Sequence, residues 1–424
     1  MGLIFSLLCQ GACCVGCMAC SCLKGVAPSA SGAPRLGHAS AALLVLAAAA
    51  GIGSDYVLGK LETAHSFGQL TSIDLEQGCD PDYLLPCQAH EAYYRATAVL
   101  FCYFVAMALV GPSSELIYAR LWGLKVLLLL GAVVGLLFAP WGFAAWSASA
   151  RVLSLAWMAF QALLALDLAH GLHEWLILKF EEREQGGSWL DWRYVYVLLC
   201  LGLMGGSVAG LVFLFQEYSF SGLGLLFLYF TVGWGLLATA LSLTETASLG
   251  LLPPVVLFAH SCFQVWYALS SHPLPTCDAD ASSTGGECVS WDPDTWPGTA
   301  GAQWAAGALL FCGVAWCAFS GDRVMEVLGL GSEDASSAGY SGLKGSEEED
   351  VLEPPVSRAA FSGVMAAAVA FAAMVLTQWT LPDGSPEVMS RGVALESLWL
   401  KVVPQWLGML FQGRVLWLRF QDAM

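Results

Sequence analysis

The sequence predicts an all-α, polytopic membrane protein with about ten transmembrane helices, and three observations support this fold class. Of its 424 residues, 57% are hydrophobic and 12% are charged, whereas soluble domains are about half apolar and about a quarter charged. The apolar residues occur in runs of about 20 residues, the length that crosses about 30 Å of hydrocarbon. The basic residues fall mainly on one side of these runs, as they do in membrane proteins.

Ten apolar runs bounded by polar clusters are the predicted spans. They cover residues 36–58, 92–111, 119–139, 150–179, 194–215, 222–243, 249–270, 299–319, 358–379 and 396–417. As one helix from Arg151 to Phe180, the fourth would rise about 45 Å, well beyond the hydrocarbon core. We therefore expect it to tilt strongly or protrude and to divide the protein into two halves beside an interior groove.

The distribution of basic residues predicts that both termini are cytosolic. Twelve of the 17 Lys and Arg residues then lie in cytosolic segments or flanks, which agrees with the positive-inside rule. The five on the outer side are Lys60, Arg95, Arg151, Arg391 and Lys401. This topology suits an integral protein of an endomembrane or the plasma membrane. The net charge of −17 excludes nucleic acid as a partner, because phosphate would be repelled.

Four regions follow from this topology. Residues 1–35 form a Cys-rich cytosolic head, and residues 36–319 carry spans one to eight with lumenal loops at 59–91 and 271–298. The polar, acidic segment 320–357 is predicted to be a disordered cytosolic loop, because it has too few apolar residues to order itself. It is either a simple solvated linker or a phosphorylation or sorting segment. Residues 358–424 hold spans nine and ten and a short cytosolic tail.

Cysteines occur in pairs within two lumenal loops. Cys79 and Cys87 fall in the first of these loops, and Cys277 and Cys288 in the other. Because disulfides persist in lumenal and extracellular space, we expect the bonds Cys79–Cys87 and Cys277–Cys288. Cross-loop pairing and free thiols are the alternatives, since four cysteines allow three connectivities.

The Cys-rich head contains the run Cys14-x-x-Cys17-x-x-Cys20. No fourth ligand follows in register, so we predict no metal site and no cofactor. A cytosolic cysteine cluster near a membrane favours palmitoylation, with Cys13, Cys14 and Cys17 as candidate sites. The start Met1-Gly2-x-x-x-Ser6 also fits N-myristoylation at Gly2. The alternative is an apolar packed segment, since a free cysteine behaves as a small hydrophobe.

Four ionisable residues inside predicted spans are the candidate site. Asp167, His170 and Glu174 lie at i, i+3 and i+7 in the fourth span, which places them within about 60° on one helical face. Lys125 in the third span lies at matching depth. Either Lys125 and Asp167 neutralise one another and hold two helices together, or the face lines a hydrated groove for a lipid headgroup or small polar solute. The absence of a convincing nucleophile, metal trio or glycine loop argues against an enzyme.

Short motifs along nearly the whole chain resemble those of one family. The most specific is the fourth span, with Asp167-Leu-Ala-His170 and Glu174-Trp175, followed by Lys179. Others are Ala92-Tyr-Tyr-Arg95, Leu121-Trp-Gly-Leu-Lys125, Gly250-Leu-Leu-Pro253, Leu376-Thr-Gln-Trp379, Trp399-Leu-Lys401 and the early cysteine cluster. In these motifs the chain resembles the serine incorporator (Serinc, or tumour differentially expressed, TDE) family of multi-span membrane proteins.

The resemblance implies two helical bundles joined by the long tilted fourth helix. It also implies help in incorporating serine into phosphatidylserine and sphingolipids and, for some members, phospholipid scrambling. The shared polar face then leads to the hypothesis of a non-enzymatic lipid-handling protein, in which phospholipids move between leaflets through a polar groove lined by Lys125, Asp167, His170 and Glu174. Since the chain has no G-x-x-x-x-G-K-[ST] motif, such movement would be ATP-independent. The alternatives are an accessory protein that supplies serine to enzymes of phosphatidylserine and sphingolipid synthesis, and a structural membrane subunit. Membrane phospholipids are the expected partners.

Overall fold

The computed structural model describes the backbone of residues 84–110, 122–137, 144–184, 192–218, 222–242, 250–271, 299–319, 355–377, 379 and 391–422. Within these ranges the chain forms nine α-helices and no β-strand. In chain order they are α1 (Leu84–Val110), α2 (Trp122–Leu137), α3 (Ala144–Glu184), α4 (Trp192–Glu217), α5 (Gly222–Ser242), α6 (Leu252–Leu269), α7 (Thr299–Phe319), α8 (Pro355–Leu376) and α9 (Arg391–Asp422).

These helices coincide with predicted spans two to ten, and the first predicted span lies outside the described residues. Of the described helices, six contain a segment long and apolar enough to cross a membrane: Tyr93–Val110, Ala145–Phe180, Trp192–Glu217, Gly222–Ser242, Leu252–Leu269 and Ala359–Leu376. Helix α2 has 16 residues, and the apolar part of α7, Gly301–Cys317, is also shorter than a typical span. The all-helical prediction is confirmed for these ranges, while the count of ten spans and the bundle arrangement stay predictions.

Helix α3 is longer than the sequence pattern predicted. It has 41 residues, and a helix of that length rises about 60 Å, roughly twice the hydrocarbon thickness. Helix α1 also begins before the predicted span, at Leu84. Pro86 lies in its first turn, where a missing N–H interrupts no helical hydrogen bond. Cys87, predicted to lie in a lumenal loop, is therefore a helical residue.

The chain divides into two compact units. Unit 1 comprises residues 1–77, 88–141 and 310–372, and unit 2 comprises residues 78–87, 142–309 and 373–424. In the described part of unit 1, α1 buries aromatic side chains such as Tyr94 and Phe104, and α8 buries a series of alanines that includes Ala366, Ala368 and Ala370. Small residues of this kind allow close approach of helices in membrane proteins. All of α3 belongs to unit 2.

Helix α6 is the centre of unit 2. It contacts α3, α4, α5 and α9, and 13 of its 18 residues are buried. Pro253 and Pro254 occupy its start, where proline is compatible with a helix. The backbone N–H groups of Leu251 and Leu252 both donate to the Tyr196 hydroxyl, at 3.0 and 3.1 Å. A phenol from α4 thus replaces a conventional N-cap side chain.

The interior of unit 2 depends on glycines at two helix contacts. A Cβ at Gly235 of α5 would overlap the ring of Phe258 of α6, and a Cβ at Gly408 of α9 would lie 2.9 Å from the Cβ of Ala162 of α3. In contrast, α4 exposes large apolar residues such as Leu198 and Leu201. Because exposed apolar surface is stable only in a nonpolar solvent, this side of unit 2 suits contact with lipid.

Candidate functional site

The predicted polar face lies on one uninterrupted helix. Asp167, His170 and Glu174 are all within α3, so their spacing places them on the same side, as the sequence predicted. Asp167 and His170 are half-buried, and Glu174 is exposed. The large apolar residues Leu168 and Trp175, on the same stretch of α3, are also exposed. The polar face is therefore only partly covered by protein.

Lys125 lies on α2 in unit 1 and is buried, with 8% of its surface exposed. Asp167, its predicted partner, belongs to unit 2. The pairing of Lys125 with Asp167 stays a prediction.

His173 is a residue of this stretch that sequence reasoning missed. Its ring lies 5.6 Å from the ring of Tyr196, centroid to centroid. A Cβ added to Gly250 would overlap the His173 ring, and Gly250 has a φ of +76°, a conformation that favours glycine. The C-terminal half of α3 is thereby fixed against the start of α6. The motif Gly250-Leu-Leu-Pro253 was the sequence signal for this contact.

A second polar cluster lies at the other end of unit 2, around Lys401 of α9. The side chain is 2% exposed. Its Nζ donates to the Ser271 hydroxyl at 2.5 Å and lies 4.0 Å from the ring centroid of Tyr267 and 4.8 Å from that of Trp379. Both distances are within the range of cation–π attraction. Among the described residues Lys401 forms no salt bridge with a carboxylate, so two aromatic faces and one hydroxyl stabilise this ammonium group.

Trp379 connects this lysine to Arg151 of α3. The indole Nε1 donates to the Tyr267 hydroxyl at 2.7 Å, and the Trp379 carbonyl accepts a hydrogen bond from Arg151 Nη2 at 2.8 Å. The backbone N–H of Trp379 donates to the Met374 carbonyl at 3.0 Å. Trp379 has a φ of 63°, which is unfavourable for a residue with a side chain. Its three hydrogen bonds compensate for that conformation at the end of α8.

Arg151 has a second interaction in this cluster. It is 3% exposed, and its Nη1 lies 3.6 Å from Oε2 of Glu396, whose side chain is 55% exposed. The ends of α3, α6 and α8 and the first turns of α9 are thus held together by two buried cations. The sequence pattern had counted Arg151 and Lys401 only as basic residues on the outer side. The sequence signal for this cluster was that Arg151 and Lys401 lie inside predicted apolar spans. The motifs Leu376-Thr-Gln-Trp379 and Trp399-Leu-Lys401 were a second signal.

The other predicted site residues cannot be placed in this geometry. Gly2, Cys13, Cys14, Cys17, Cys79, Cys277 and Cys288 lie outside the described residues, and the side chain of Cys87 does as well. The predicted lipidation and disulfide bonds stay predictions. Within the described ranges, no group of three or more His, Cys, Asp and Glu residues could hold a metal ion.

Comparison with known proteins identifies the family. A model of the serine incorporator (Serinc) family matches residues 8–355. The chain belongs to the serine incorporator family. A relative from Monosiga brevicollis, named a probable serine incorporator, is 26% identical over 357 residues, which cover 74% of this chain and 73% of that protein. A probable serine incorporator from Nematostella vectensis is 26% identical over 206 residues, 44% of each chain.

The Serinc match includes the whole of α3 with its polar face. It ends at residue 355, the first residue of α8. Trp379 and Lys401 lie beyond the matched residues, and Arg151, Tyr267 and Ser271 lie within them. The polar cluster around Lys401 thus combines residues from both parts of this Serinc protein.

Proposed function

We propose that this Serinc protein moves phospholipids between membrane leaflets without ATP, along the polar face of α3. The observation that carries the proposal is the partial exposure of Asp167, His170 and Glu174 on a 36-residue segment otherwise apolar enough to cross a membrane. An ionisable side chain inside hydrocarbon costs about 2.5–3.5 kcal/mol on insertion scales. Such residues are usually kept for a partner, a hydrated path or a substrate.

The chemistry of this face suits a lipid headgroup. A carboxylate and an imidazole can bind the amine and phosphate of a zwitterionic headgroup, while the acyl tails stay in the bilayer beside Leu168 and Trp175. Arg151 and Lys401 differ from this face, because both are nearly inaccessible.

Reconstitution into liposomes with fluorescent phospholipids tests the proposal. Dithionite quenches only the outer leaflet, so lipid movement between leaflets makes quenching proceed beyond about half of the label. We expect the wild-type protein to give complete quenching and Asp167→Asn to slow it, with unchanged elution as a folded protein. Glu217→Gln is the matched control, because Glu217 is a half-buried acid at the end of α4. Quenching no different from that of empty liposomes would refute the proposal.

The names of the relatives favour a second candidate, an accessory role in which the protein supplies serine to lipid-synthesising enzymes. This role predicts saturable serine binding and faster phosphatidylserine or sphingolipid synthesis, with no mixing of leaflets. Equilibrium binding of radiolabelled serine to the purified protein, together with the dithionite assay, separates the two candidates. A purely structural role for the polar face predicts that Asp167→Asn unfolds the protein.

A further inference from the structure

We infer that unit 2 binds an internal water molecule at the contact between α3 and α6, enclosed by Trp157, Gln161 and Gln264. This inference concerns a different part of α3 from the polar face and does not depend on the proposed lipid movement. The Gln161 and Asp167 positions are about 120° apart around the helix.

Three buried polar atoms of these residues have no hydrogen-bond partner among the described residues. They are Trp157 Nε1, Gln161 Nε2 and Gln264 Oε1. The three side chains are 0%, 6% and 3% exposed. Buried polar groups in folded proteins are nearly always hydrogen-bonded, and where no protein atom is the partner, an ordered water molecule is. A single orphaned group would be unremarkable, but three at one helix contact indicate a shared partner.

The position of Gln264 brings these atoms into one region. Its Nε2 donates to the Met158 carbonyl at 3.4 Å, so the side chain reaches α3 beside Trp157. Residues four positions apart on a helix are neighbours, so Trp157 and Gln161 lie one turn apart, on either side of this contact. The three unsatisfied atoms therefore belong to a single turn of α3 and the side chain that packs on it.

The donors and the acceptor match the chemistry of water. Trp157 Nε1 and Gln161 Nε2 each donate, and Gln264 Oε1 accepts. Turning the Gln264 amide over would place its oxygen against the Met158 carbonyl, so the hydrogen bond to this carbonyl fixes Oε1 as the free acceptor. A water molecule accepts two hydrogen bonds and donates others, and buried waters make about three.

Radiolytic labelling in H2 18O tests this inference on the intact protein. A short X-ray pulse converts water to hydroxyl radicals where the water resides, and the radicals oxidise adjacent side chains. We expect 18O to appear on Met158 and Trp157 several-fold faster than on Met374. Met374 is the matched control, because it is also in unit 2 and is 0% exposed, against 2% for Met158. Equal and slow labelling of Met158 and Met374 would overturn the inference.

The variant Gln264→Leu provides a second test. It removes the acceptor and leaves an apolar side chain in its place, so we expect labelling of Met158 to fall to the level of Met374. Unfolding would raise the labelling of both methionines together and is thus distinguished from loss of the water. Fast labelling of Met158 that persists in a folded Gln264→Leu protein would show that the labelling does not come from this site.

Discussion

Replacing Ser271 with alanine tests how the buried ammonium group of Lys401 is stabilised. The hydroxyl of Ser271 is its hydrogen-bond acceptor, and the substitution removes this single atom from a residue that is 8% exposed. The backbone N–H of Ser271 still donates to the Ala268 carbonyl, so the end of α6 keeps its shape. The remaining partners of Lys401 are then the rings of Tyr267 and Trp379.

The expected size of the effect follows from these contacts. A hydrogen bond to a charged group contributes about 1.5–3 kcal/mol, and cation–π attraction in a desolvated site contributes about 2 kcal/mol. Ser271→Ala should therefore cost about 2 kcal/mol while Lys401 is present, because the buried charge loses its only hydrogen bond with a described residue. In a Lys401→Met background the same substitution should cost less than about 0.5 kcal/mol, since no charge remains to be satisfied.

A double-mutant cycle measures this coupling. The wild type, Ser271→Ala, Lys401→Met and the double variant are unfolded by SDS in mixed micelles, and the four free energies of unfolding are compared. We expect a coupling energy of about 1.5–2 kcal/mol. Lys401→Met alone should change stability by less than about 2 kcal/mol in either direction, because the loss of favourable contacts is offset by relief of the buried charge. A coupling energy near zero would refute this account of Lys401.

Three further substitutions test the packing of unit 2, each by the same unfolding measurement. Gly235→Ala should destabilise the protein by about 1–3 kcal/mol, because the added methyl group would overlap the Phe258 ring. Arg151→Lys should cost about 1–3 kcal/mol, since a lysine lacks the second donor nitrogen needed to hold both the Trp379 carbonyl and the nearby carboxylate. Tyr196→Phe should cost about 1–3 kcal/mol, because two backbone N–H groups at the start of α6 lose their acceptor.

Matched controls distinguish these explanations from general sensitivity to mutation. A Cβ at Gly206 of α4 would meet no atom within 4 Å, so Gly206→Ala should leave stability unchanged or raise it by up to about 1 kcal/mol. Glu396→Gln should cost less than about 1 kcal/mol, since the carboxylate is mostly exposed. If Gly206→Ala proves as harmful as Gly235→Ala, close packing against Phe258 is not the cause. If Tyr196→Phe leaves the free energy of unfolding unchanged, the Tyr196 hydroxyl is not needed as the acceptor, because water can hydrogen-bond the two N–H groups in its place.

Helix positions were predictable from the sequence because hydrophobic run length is a local property. Each of the nine described helices coincides with a predicted span, although several extend beyond it. The C-terminal end of α3 is an example, since Arg183 and Glu184 lack the hydropathy that marks a span and still continue the helix. The shared face of Asp167, His170 and Glu174 was also predictable, because it requires only the helical period.

The surroundings of Lys401 were not predictable in the same way. Its partners Ser271, Tyr267 and Trp379 come from segments more than 20 residues away in the chain, and no periodic pattern relates them. The same is true of Gln264 and Met158, which are 106 residues apart. Contacts of this kind depend on how helices pack, and a hydropathy pattern carries no information about which helices are neighbours.

The sequence by itself determined that this Serinc chain is a helical membrane protein, which segments are helical and which polar residues share a face of α3. Only the tertiary structure decided which charges are buried. Arg151 and Lys401 looked like two of five basic residues on the outer side, yet both are almost inaccessible within unit 2. The physical reason is that hydrophobicity is summed along a segment, whereas burial of a charge requires aromatic rings, hydroxyls and carbonyls from several helices to meet at one point.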